Sequence, residues 1–168
     1  GADALVIDLA EPRTPFGEDE RRAARAAVAD HIGQVGAAAR PRQYVRVRPP
    51  DSGLMLRDLL DVCVEGLAGV VVPGVHGPHD VVAADALVAN GERERGLEPG
   101  SVVLYPILET ASALRLAYEI ATASDRVAHL GGAVSRGGDL TEALGFRWTA
   151  VGTETLFLRS KVLVDARG

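Results

Sequence analysis

Short continuous runs of apolar residues alternate along this chain with longer stretches in which apolar residues recur every three or four positions. The runs Ala4 to Leu9, Gly69 to Val72 and Val102 to Leu108 are rich in Val, Ile and Leu, as strands buried on both faces of a parallel sheet are. Tyr44 to Arg48 alternates instead, which sets Arg46 and Arg48 on one side of a strand, and Arg126 to Leu130 reads as a short last strand. Between the strands lie helical stripes. The first follows the acids Glu18, Asp19 and Glu20 and runs to about Ile32; Leu56, Leu59, Leu60 and Cys63 mark the second; Val81, Ala84 and Val88, ended by Gly91, mark the third. Ala113, Leu116, Ala117 and Ile120 give the fourth at helical spacing, and a brief DLTEALG turn and a helix over Thr153 to Arg167 close the chain. Five strand–helix units in strict alternation, with no hairpin signal, predict one α/β domain over residues 1–168 with a parallel sheet and right-handed crossovers.

Composition narrows the function classes. Hydrophobic residues make up 47% and aromatics 4% of the 168 residues, so the core is built from Ala, Val and Leu, as helix-on-sheet layers are. A formal charge of −5 argues against a nucleic-acid partner. Cys63, the one cysteine, excludes an internal disulfide and fits a reducing cytoplasm. No apolar run reaches the roughly 18 residues of a membrane span. GERERGLEPG, after the third helix, reads as a solvated loop.

The candidate chemistry sits where strands end. Glu109 lies at the change from strand to helical period, hence at the carboxyl edge where α/β proteins keep their ligands; its competing role is to favour the start of the next helix electrostatically. Asp8 with Glu11, Arg46 with Arg48, and Asp139 are the other polar groups at such ends, Asp139 having the competing role of helix N-cap. Glu109 and Asp139 from neighbouring units suit Mg²⁺, which takes few protein ligands and fills the rest of its shell with water and substrate oxygens. His76 and His79 flank Pro78 without completing a metal set, and GGAVSRGG lacks the fixed glycines and Lys-Ser/Thr of a phosphate loop.

Taken together, ALVIDL, VRVR, GVVVPGV, YPILET, GGDLTEALG and GTETLFLRSKVLVDAR resemble the citrate lyase beta-subunit-like CoA-ester lyases, relatives of the HpcH/HpaI aldolases. The resemblance spans nearly the whole chain, and PILET, the D-L-x-x-x-L-G element and G-T-E-x-L-x-x-R-S-K carry most of it. It implies a Mg²⁺-dependent (β/α)₈ TIM barrel that cleaves or forms a carbon–carbon bond beside a carbonyl, through an enolate. Glu109 and Asp139 would then ligate Mg²⁺, Arg46 would bind the carbonyl oxygen on which charge develops, and Asp8 and Glu11 would fall in an acidic cluster at the site. Metal and guanidinium both stabilise an oxyanion without donating a proton.

Three positions depart from the family pattern. An acid of the pair after the second strand is Ala10, the Asn after R-V is Arg48, and the Lys after the fourth-strand proline is Gly74; the loop before Asp139 is also longer and carries Arg136. Arg48 and Arg136 add positive charge suited to a polyanionic acyl-CoA. The reading that results is a lyase for a 3-hydroxyacyl-CoA of the citryl-CoA or malyl-CoA kind. Its rivals are a metal-dependent 2-oxo acid aldolase with His129 as proton shuttle, acting on a small oxoacid, and a non-catalytic acyl-CoA-binding subunit. A closed barrel takes about 250 residues and eight strands, whereas this chain supplies five, corresponding to family strands two to six. An incomplete barrel with two open edges is therefore expected, belonging either to a longer protein or to a homo-oligomer that completes its sheet.

Overall fold

The computed structural model describes residues 1–10, 15–38, 40–132 and 135–168. Five parallel strands lie side by side in chain order: β1 (Ala4–Asp8), β2 (Arg42–Arg46), β3 (Leu67–Val72), β4 (Val103–Leu108) and β5 (Gly131–Gly132). They are joined by α1 (Glu18–Val35), α2 (Met55–Val62), α3 (Pro78–Arg95), and the pair α4 (Ala111–Arg115) and α5 (Ala117–Ala121). Beyond β5 come α6 (Asp139–Leu144) and α7 (Leu156–Asp165). The arrangement is a curled half-barrel.

The curl is visible in one contact. The Tyr44 hydroxyl on β2 lies 3.2 Å from Nε2 of His129, which sits beside β4 just ahead of β5. Three strand spacings of a flat sheet would separate them by about 14 Å, far beyond a tyrosine's reach, so the sheet bends towards the face that carries both. Gly69 on β3 makes room: a Cβ there would stand 2.6 Å from the Tyr44 ring and 2.7 Å from Val103. Tyr105 meets the His129 ring edge-on at 5.4 Å.

Outside the sheet, Val45, Val70, Val72, Leu104 and Leu108 pack against Ile32, Leu59, Val88 and Ile120 of the helices in the main core. Among the described residues no helix is long and apolar enough to cross a membrane. The β1 edge is bare, with Leu5 and Val6 44% and 48% exposed, and at the opposite end Phe157 of α7 is 71% exposed.

Several local expectations shift. Leu104 exchanges hydrogen bonds with Arg126 and Ala128, and pairing resumes at Gly131, so the expected 126–130 strand is two short paired pieces. The helix expected after β4 breaks at Leu116 (φ −99°, ψ 25°). On α2 the buried side is Met55, Asp58, Leu59 and Val62, with Leu56 exposed; burying Asp58 against arginines rotates the helix away from the purely apolar stripe. The first half of the expected solvated loop, residues 91–95, is instead the last turn of α3, and Glu92 within it is 1% exposed.

Glu92 ties the amino ends of the strands together. Its carboxylate accepts from Arg126 at 2.6 and 2.7 Å and from the N–H groups of Gly100 and Val102, both at 3.0 Å. Arg126 also donates to Asp85 at 2.7 Å. Burial pushes the Glu92 carboxyl up, but these donors outweigh it and hold it below its usual range. Arg126→Met strands the buried carboxylate. An unfolding titration at neutral pH should show a loss of about 3–5 kcal/mol, shrinking in acid as Glu92 becomes protonated.

Candidate active site at the carboxyl end of the sheet

Parallel register decides which side chains meet. Asp8 and Arg46 are partners across β1 and β2, so their side chains leave the sheet at one level and on one face. Arg46 donates Nε to Asp8 Oδ1 at 2.9 Å and Nη2 to Oδ2 at 2.5 Å. Asp8 Oδ1 also accepts from the Ala10 N–H at 2.8 Å, which fixes the carboxylate as the chain leaves the strand. The Asp8 hydrogen bond, followed by attraction from Asp8, Glu109 and Asp139, raises the Arg46 pKa against its partial burial.

Glu109 follows β4 directly and is half-buried. Helix capping is not its task, because Thr110 is the N-cap of α4 and its Oγ1 accepts from Ala113 N–H at 3.0 Å. Instead Oε2 of Glu109 accepts from the Gly74 N–H, just past β3, at 2.9 Å. Burial pushes its carboxyl above the ordinary value; the Gly74 N–H opposes this, Asp139 adds to it, and Arg46 pulls the other way. Asp139 is the first residue of α6, with Gly138 as the N-cap. Arg46, Glu109 and Asp139 line one cavity of about 380 Å³.

Arg48 lines the same cavity as Arg46, but its guanidinium is engaged by a different carboxylate. β2 ends at Arg46, and Arg48 is 3% exposed, its Nη1 donating to Asp58 Oδ1 at 2.5 Å and its backbone N–H to Oδ2 at 3.0 Å. Arg25 of α1 approaches Asp58 to 3.8 Å and donates to Asp61 at 2.6 Å and Glu18 at 2.9 Å. Arg48 thus supports the cavity wall rather than presenting a charge from it. Asp58, which sequence reasoning missed, could have been noticed as a carboxylate at i+3 from Met55 on a helix that must bury one face.

The remaining candidates are more dispersed. Arg136 is exposed, in the turn closed by Gly138 N–H donating to Ser135 O at 3.2 Å. Glu11 lies outside the described residues. His129 is held by Tyr44 and Tyr105 on the inner face and does not line the cavity that contains Glu109. Among the described residues no group of three or more His, Cys, Asp or Glu side chains is placed to hold a metal. A larger cavity of about 590 Å³ lies at the amino end of the strands. Its charges, Arg42 and Arg95 against Glu65 and Glu98, offset one another.

The HpcH/HpaI aldolase/citrate lyase family model matches residues 1–168. This chain belongs to that family. It is 32% identical over 167 residues to citrate lyase subunit beta of Escherichia coli, covering 99% of this chain and 53% of that protein. To L-malyl-CoA/beta-methylmalyl-CoA lyase of Cereibacter sphaeroides it is 30% identical over 158 residues, covering 90% of this chain and 46% of the relative. The chain therefore spans about half the length of the curated relatives it matches. The fold is similar to a crystal structure of protein CitE from Mycobacterium tuberculosis in complex with magnesium and acetate, with TM-score 0.68 and 23% identity over 99% of this chain and 60% of that one.

Ala10, Arg48 and Gly74, the positions at which the sequence was expected to depart from the family pattern, all line the cavity that contains Glu109 and Asp139.

The upward shift of Glu109 has a sign that can be measured. Between its ordinary value of 4.5 and the raised one, the folded chain binds more protons than the unfolded chain, so stability falls as pH rises through that window. Glu109→Gln keeps an acceptor for Gly74 and removes the charge. Without added metal, thermal unfolding should find this variant more stable than the parent at pH 7 and equal to it near pH 4.

Proposed function

We propose that this chain forms part of a Mg²⁺-dependent carbon–carbon lyase that cleaves a 3-hydroxyacyl-CoA thioester of the citryl-CoA or malyl-CoA kind. The observation that carries the reading is the convergence, in a chain of this family, of a carboxylate-pinned Arg46 with Glu109 and Asp139 on one cavity. The donor set fits Mg²⁺: both acids offer hard oxygen ligands, and the mutual repulsion of Glu109 and Asp139 is the strain that a bound cation relieves. Glu109 and Asp139 would hold the ion, which when bound supplies Lewis-acid stabilisation of negative charge on the substrate's oxygen.

The chain's own groups account for the rest. Asp8 occupies Nε and Nη2 of Arg46, so the guanidinium is pre-oriented and presents its remaining N–H groups to the thioester carbonyl. As the carbon–carbon bond breaks, its electron pair passes to the thioester carbonyl, and the oxygen that gains charge meets a cation already fixed in place. The 3-hydroxyl gives its proton to water as its carbon becomes the carbonyl of the released oxoacid, and the enolate takes a proton from water on carbon to give the acyl-CoA, so that no net proton is consumed. His129 is bound to Tyr44 on the inner face and is not among the residues lining this cavity, which does not favour the 2-oxo acid aldolase reading. The bare β1 edge supports a homo-oligomer or a longer chain, and a buried, unpaired Cys63 supports work in the cytoplasm.

The test uses the protein that carries this chain, with citryl-CoA and malyl-CoA as substrates and acyl-CoA release as the readout. Glu109→Ala and Asp139→Ala should each slow turnover about a thousandfold, the equivalent of about 4 kcal/mol, and EDTA should do the same to the parent. Turnover indifferent to EDTA and to both substitutions would sink the metal reading and favour a non-catalytic acyl-CoA-binding subunit. Arg46→Lys keeps the charge but loses the planar fork; it should abolish activity while leaving the unfolding midpoint nearly unchanged, since the Asp8 pair is about 40% exposed on both sides and contributes little to stability.

A further inference from the structure

The loop after β3 and the turn after β4 are laced together by three hydrogen bonds in succession. Gly74 N–H donates to Glu109 Oε2 at 2.9 Å, Thr110 Oγ1 donates to Val75 O at 3.3 Å, and Ser112 Oγ donates to His76 O at 2.9 Å. The first of these differs from the others. Its donor is the backbone N–H of a left-handed residue, Gly74 at φ +61°, a conformation that residues with a side chain rarely adopt and that sets the course of the loop around that N–H. Gly74 also lines the cavity, and a Cβ built on it would stand 3.1 Å from Pro49 Cβ across the wall.

We infer that Gly74 is a positioning residue for Glu109: the left-handed turn it allows sets the path of the loop that holds its N–H on Oε2, fixes the carboxylate's rotation, and leaves Oε1 as the oxygen offered to a divalent cation. This rests on the reading of Glu109 as a metal ligand. Glycine also keeps the cavity wall open at this point. A lysine side chain would place its stem against Pro49 in the cavity and would disfavour the backbone turn that the N–H requires. In this chain the carboxylate is steadied from the main chain instead, and the wall between Pro49 and Pro73 stays open.

The test compares Gly74→Asn with Gly74→Val. Both add the Cβ that approaches Pro49, but Asn tolerates the left-handed region and a β-branched residue does not, so the pair isolates the backbone. Calorimetric titration with Mg²⁺ alone should show Asn within about threefold of the parent affinity and Val weaker by about tenfold or more. Gly96→Val is the control, because Gly96 is also left-handed (φ +65°), has open space around it, and lies at the far end of α3. It should lose comparable thermal stability with Mg²⁺ affinity unchanged. Equal affinities for Gly74→Val and the parent, or an equal fall in Gly96→Val, would overturn the assignment. Should Gly74→Val fail to fold, Gly74→Ala against Gly74→Asn makes the same comparison. If the parent itself binds no Mg²⁺, the ligand reading fails, and the Gly74 assignment is decided separately by amide hydrogen exchange. In Glu109→Ala the Gly74 N–H should then exchange about tenfold faster or more than in the parent, and an unchanged rate would end the assignment.

Discussion

Parallel strands held in register carry their carboxyl ends to one level, and the chemistry of this protein depends on that. Asp8 and Arg46 are paired because they are register partners on adjacent strands, not because they are near in sequence. Gly74 meets Glu109 for a related reason: the turns that follow β3 and β4 emerge side by side. Each hydrogen bond at the site therefore inherits its geometry from the ladder of backbone bonds below it, which is far stiffer than any single side chain. Acidic and basic groups from three strand ends, Arg46, Glu109 and Asp139, can then be gathered into one cavity without any of them being adjacent in the chain.

Two charged clusters support this arrangement from opposite directions. At the amino end, Glu92 and Arg126 bind the close of α3 to the start of β4. On the outer side, Asp58 binds the chain beyond β2 to α2 through Arg48, with Arg25 of α1 nearby. Both bury carboxylates that would be costly alone, and both satisfy them with several donors, which is the condition under which buried charge is tolerated. The second cluster matters for the site because Arg48 carries Pro49 with it, and Pro49 faces Gly74 across the cavity. Arg48 thus acts on the shape of the wall through a partner on a helix, Asp58 of α2.

The inner face is furnished more sparsely. Tyr44, Tyr105 and His129 lean over Gly69 and Gly131, where any side chain would collide with them. In a closed barrel, layers of side chains from opposing strands fill this volume; here the aromatic rings cover it from one side. Among the described residues no strand lies outside β1, which leaves Leu5 and Val6 open along it.

The chain's own pattern determined the alternation of strand and helix, the parallel sheet, the family, and the placing of Glu109, Arg46, Asp8 and Asp139 at carboxyl ends. Those follow from periodicity and from local breakers such as Pro49, Pro73 and Gly74, which act over a few residues. Tertiary structure decided which polar groups pair. Arg46 and Arg48 are two residues apart and chemically identical, yet one is pinned by Asp8 at the opening and the other is buried on Asp58, because β2 ends between them and each takes the carboxylate that a neighbouring element brings within reach. Glu92 read as part of a solvated loop for the same reason: its partner Arg126 lies 34 residues away, and nothing in the local sequence announces it. The hydrogen bond from Gly74 to Glu109 was equally invisible, since a backbone donor leaves no signature in residue type beyond the glycine that lets it turn.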